Sequence, residues 1–180
     1  MVESGRPLLN ESDWRRCDDP DRMLECLRGT VSERTLRLFA VACCRRLGDL
    51  LAHPASLDDL RIAEGFATGD VDQQALSRRS SNNAIDAAWG AAWDGPAWMA
   101  PNGPAWLVRA DQAARGSVAV PFDPGEVAQA AAEARAWAAG APHVAAKDYV
   151  AWKSALQGTL QQERLAQCEL LRGLVGYPFN

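Results

Sequence analysis

Two groups of side chains in this sequence are of types that perform chemistry, and their spacing decides what each would do. Cys43 and Cys44, with Cys26, Cys168 or His53 folded close, would supply soft thiolate and imidazole ligands suited to zinc. Neighbouring helical residues point about 100° apart, however, and the spacing of about two to four residues usual for zinc-ligand pairs is absent. Buried free thiols acting as small apolar side chains are the better account, and no metal is expected. His143 with Lys147 and Asp148 has the groups of an acid–base pair. The chain holds only two histidines, no nucleophile-like serine or cysteine turn and no glycine-rich phosphate loop, so a solvated helix start explains His143 as well. No cofactor and no catalytic residue is expected.

Two further groups carry binding chemistry. Arginines pair at Arg15–Arg16, Arg45–Arg46 and Arg78–Arg79, with Arg34 and Arg37 three apart. Arg34, Arg37, Arg45 and Arg46 would contact phosphates if they shared a helix face. Against this, the net charge is −4, and Asp18, Asp19, Asp21, Asp49, Asp58 and Asp59 lie close enough in sequence to cancel much of the field. Tryptophan supplies seven of the thirteen aromatic residues, and Trp89, Trp93, Trp98 and Trp106 fall within one short stretch. There, Asp94 to Gly103 reads as an irregular Pro/Gly loop, and Gly-Pro-Ala-Trp occurs at 95–98 and again at 103–106. Prolines at 96, 101 and 104 would stiffen the segment and hold Trp98 and Met99 outward at small entropic cost. An indole gives large contact area for little lost freedom, so Trp89, Trp93, Trp98, Met99 and Trp106 form the candidate binding set. The competing account is that these rings fill space left by the many alanines around them.

The elements that must position these residues are helices. Ser32 can cap a helix running from Glu33 to Leu51, in which Leu36, Phe39, Ala40, Cys43, Leu47, Leu50 and Leu51 recur at helical spacing while Leu38, Val41 and Ala42 mark a second apolar strip. A helix apolar on two sides requires neighbours on two sides, here the second helix and the last. Before it, Asn10 starts a short helix whose Trp14 docks it, and Asp19-Pro20 opens another with Met23, Leu24 and Leu27 buried. After it, Ser56 with Asp59 caps a helix with Leu57 on its inner side, closed by Gly69. Asp70 with Gln73 opens the next, which the polar run Arg78 to Asn83 is expected to interrupt. A helix from Pro104 should stop at Gly116. Val118, Val120 and Phe122 are the one strand-like run, and an Ala-rich helix from Asp123 should stop at Gly140 and Pro142. The last helix spans about Val144 to Arg172, and the tail folds Tyr177 and Phe179 back onto the core.

The opening Trp helix with Asp19-Pro20 and Met23-Leu24, the run LRLFAVACCRRL and the ending LLRGLVGYPF together resemble an uncharacterised bacterial helical domain family. The resemblance covers about the first seventy residues and the last dozen, and it implies no activity and no site. The sequence therefore predicts an all-α, single-domain helical bundle over 1–180, built around a central buried helix, with residues 1–9 as a flexible tail and 94–103 as a Pro/Gly/Trp-rich loop. No stretch reaches the length of a membrane span, and the odd cysteine number without a disulfide framework points to a reducing, cytoplasmic setting. The leading functional expectation is a non-enzymatic interaction or scaffold module whose partner is another protein or a second copy. The alternatives are a nucleic-acid-associated helical protein using the arginines, and a small-ligand-binding or enzymatic helical domain.

Overall fold

A computed structural model describes residues 9–51, 53–91 and 105–178, the side chains of 84–91 excepted. Among them are eight α-helices and no strand, so the chain is an all-α multi-helix bundle. Two short helices come first. Asn10 caps α1 (Glu11–Arg16) by accepting from the Asp13 amide, and Asp19 caps α2 (Pro20–Leu27) by accepting from the amides of Asp21 and Arg22. Trp14 is buried and anchors α1, and Leu9, which the sequence assigns to a flexible tail, is buried with it in the main apolar cluster.

Ser32 caps the central helix α3 (Glu33–Arg45), which ends six residues before the Leu51 expected from periodicity. Gly48 adopts a left-handed φ of +54°, a conformation open to glycine, and Gly48–Leu50 form a 3-10 turn. Leu47 and Leu51 nevertheless remain buried, so the apolar spacing runs through the turn and conceals the break. The helix packs against α4 (Pro54–Thr68), α6 (Ala105–Val118), α7 (Pro124–Ala145) and α8 (Tyr149–Val175), while α2 packs chiefly on α8 and α7 rather than on α3. Phe39, Ala40, Val41, Cys43 and Cys44 are all buried, and Val41 joins Ala63, Phe66, Leu76 and Val118 in a second cluster.

Several expected boundaries are displaced, some by a different local cap and some for a tertiary reason. His53, not Ser56, caps α4: its Nδ1 accepts from the Ala55 amide, which leaves Ser56 and Asp59 free to point inward, while Leu57 faces out at 41% exposure. Asp72 rather than Asp70 accepts at the start of α5 (Gln73–Ala91), from the Ala75 amide. The run Arg78 to Asn83 does not interrupt α5, because its polar groups have partners on other elements. Arg79 pairs with Asp59 and donates to the Ala55 carbonyl, Asn83 donates to Asp59, and Ser80 Oγ accepts from the Val120 amide. Gly116 and Gly140 stop nothing. A Cβ on Gly116 would lie 2.8 Å from Val127 and one on Gly140 2.8 Å from Trp152, so both glycines let helices approach closely. Pro142 also sits inside α7, near its last turn, and Val118 closes α6 instead of starting a strand.

Candidate interaction surface

Helices α6 and α7 run antiparallel. Gly116 faces Val127 at one end, and toward the other Arg109 pairs with Glu133 at 3.0 Å and lies over the Trp137 ring. The first turn of α6, with the half-buried Trp106, is therefore level with the stretch Trp137–Gly140, and Trp152 of α8 lies against Gly140. Three half-buried tryptophans thus come to one level of the bundle, and only Trp106 belongs to the set the sequence singles out. Trp93, Trp98, Met99 and the loop 94–103 lie outside the described residues, and Trp89 sits on α5 among the residues whose side chains are not described.

Beyond this level no other described helix is long enough to follow the α7–α8 hairpin to its end. At about 1.5 Å per residue the 13 residues of α3 span about 20 Å and the 27 of α8 about 40 Å, so the central helix can accompany only half of its neighbour. The buried residues of α8, Glu163, Gln167, Cys168 and Leu171, all belong to its second half. At the hairpin end Lys147 takes a left-handed φ of 58°, and the Asp148 carboxylate accepts from the Ala151 amide to restart the chain as α8. Val144, Tyr149 and Val150 stand out there at 47%, 66% and 83% exposure. From Ala136 to Gln162 the only charged side chains are Lys147, Asp148 and Lys153. A surface poor in charge and carrying exposed aliphatic and aromatic groups has the make-up of the central part of a protein interface. Sequence reasoning missed it because Tyr149 fits the helical period of the buried face.

The candidate arginines go elsewhere. Arg37 is fully buried: it pairs with Glu33, donates to the carbonyls of Ser117 and Ala119, and stacks 4.2 Å from the Phe122 ring centre. Burial draws its pKa down while Glu33 opposes the shift. Arg34 is exposed over the Phe66 ring, and Arg45 pairs with Glu64. Arg46 binds the buried Glu163 through both Nε and Nη2, at 2.9 and 3.1 Å, and Arg135 reaches the same carboxylate at 2.7 Å. Of these four side chains, one is buried, two are spent on carboxylates and Arg34 lies over a ring.

The thiol and imidazole candidates do not converge, and among the described residues no group of three or more His, Cys, Asp or Glu is placed to hold a metal ion. Cys43 and Cys44 are buried free thiols, and burial pushes the pKa of each upward. Near His143, the Asp148 carboxylate is used as a helix cap. The buried polar cluster that does form was not foreseen. Asp59 accepts from Arg79 and Asn83, and Ser56 donates to Asp111, which also pairs with Arg115. Burial holds the Asp59 carboxyl above its ordinary value despite Arg79 and Asn83. The signal lay in Arg79 and Asn83, four apart on α5 and therefore on one face, opposite Asp59.

No described helix is long and apolar enough to cross a membrane. No protein-family model, no curated protein and no solved structure matches the chain.

Proposed function

We propose that this protein is a non-enzymatic interaction module that contacts another protein, or a second copy of itself, through the end of the α7–α8 hairpin and the tryptophan level beneath it. The observation that carries the reading is the exposure of Val144, Tyr149 and Val150 on a stretch almost without charge. Apolar surface left in water is costly, and partner binding removes that cost without chemistry.

The test is sedimentation velocity over a wide concentration range, comparing wild type with the double variant Tyr149→Ser, Val150→Ser. The expected outcome is association in the wild type that weakens by about tenfold or more in the variant, with the melting temperature unchanged. A wild type that is monomeric throughout removes the second-copy reading. Binding to nucleic acid that collapses as salt rises would replace the proposal with the arginine-based one.

A further inference from the structure

The interface between the N-terminal arm and α8 holds two thiols outside the surface just described. Arg164 and Arg172 lie one helical turn before and after Cys168, so all three side chains project from one face of α8. Arg164 donates to the Asp19 carboxylate at 2.8 Å, and Arg172 donates to the carbonyls of Trp14 and Cys17. These two clamps set the turn Cys17–Asp19 directly across from Cys168. Cys17 and Cys168 are both buried members of the same apolar cluster, both are free, and the Cys17 Sγ points toward the Asp19 carbonyl at 3.4 Å.

We propose that Cys17 and Cys168 join in a disulfide when the protein meets a peroxide, and that this bond staples α1 to α8. The Cys17 sulfur attacks one peroxide oxygen, the O–O bond breaks, and Cys17 sulfenic acid and water result. The Cys168 sulfur then attacks the Cys17 sulfur, the S–S bond forms as the S–O bond breaks, and the departing hydroxide takes the Cys168 thiol proton to leave as a second water. Two thiols and one hydrogen peroxide thus give one disulfide and two waters. Cys17 is the first nucleophile because it lies at the edge of the core, at 9% exposure, just after a six-residue helix, whereas Cys168 has none. Burial, with the neighbouring Cys17 adding to it, lifts the Cys168 thiol to about 12, so Cys168 stays a thiol toward peroxide and reacts only once the Cys17 sulfenic acid stands beside it. The nearby guanidiniums of Arg172 and Arg164 favour its thiolate. Cys43 and Cys44 are adjacent helical residues whose sulfurs diverge, so they offer no competing relaxed bond.

The experiment exposes the native full chain to hydrogen peroxide, blocks the remaining thiols and maps tryptic peptides without reduction. The expected product is an intramolecular link between CDDPDR (17–22) and LAQCELLR (165–172), with Cys26, Cys43 and Cys44 still thiols. Amide exchange across Glu11–Arg16 should slow by roughly tenfold on oxidation and return with reductant, and Cys17→Ser should abolish both effects. Five unreacted thiols would overturn the proposal, as would Cys17 joined to any other cysteine or carried to sulfinic acid without a link.

Discussion

The body of the bundle and the end of its longest hairpin treat side chains in opposite ways. Helices α4, α6, α7 and α8 pack around α3, and charged groups inside or at its margin are spent on internal partners: Arg37 on Glu33 and two carbonyls, Arg46 and Arg135 on Glu163, Arg79 on Asp59. The far half of the hairpin has no buried residue on α8, three charged side chains, and Val144, Tyr149 and Val150 in solvent. Arginine does the bridging in the body, since its planar fork serves several acceptors at once, while both of the chain's lysines lie on the hairpin. The contrast separates residues that make the fold from residues that stay exposed.

Substitutions in the two regions should therefore differ in kind, and the largest effect belongs to the body. Phe39→Ala, at a ring with 1% exposure, should cost about 3 to 5 kcal/mol in chemical denaturation by leaving a cavity. A change within error would mean that α3 is not enclosed. Arg37→Met keeps much of the volume but strands the Ser117 and Ala119 carbonyls, and should cost about 2 to 4 kcal/mol. If it costs nothing, the buried arginine is not what ties α3 to the end of α6.

Asp59 sharpens the comparison through pH. Its folded carboxyl is held above the ordinary 3.8, so its contribution to stability is complete below that value and declines as pH rises through the folded one. Wild type should thus lose ground to Asp59→Asn as pH climbs from about 4, then level off, which denaturation at a series of pH values will read. A wild type that gains on the variant over that range would mean that Arg79 outweighs burial.

Smaller effects are expected at the hairpin. Gly140→Ala gains helix propensity of about 1 kcal/mol but drives a methyl into Trp152, for a net loss of about 1 kcal/mol and a shift in tryptophan fluorescence. Tyr149→Ser with Val150→Ser should move stability by less than about 0.5 kcal/mol while weakening association. A loss typical of a core deletion would erase the distinction between the two regions.

Much of this was legible in the chain. Asn10, Asp19-Pro20, Ser32 and Asp123-Pro124 mark helix starts because a side-chain acceptor beside free amides acts within a few residues and needs no distant partner. The all-α class and the burial of Trp14, Met23, Leu27 and Phe39 follow from periodicity for the same local reason. Helix ends were less legible. Gly116, Gly140 and Pro142 read as stops, yet the first two are contact points, a role visible only once Val127 and Trp152 are in place. The polar run in α5 reads as a break because its acceptors lie 20 or more residues away. The candidate surface was split likewise. Tryptophan content singled out Trp106 but not Trp137 or Trp152, whereas the solvent exposure of Tyr149 and Val150 depends on α8 being about twice as long as α3. Spacing along one helix states which residues share a face; only the lengths and packing of its neighbours decide whether that face is covered.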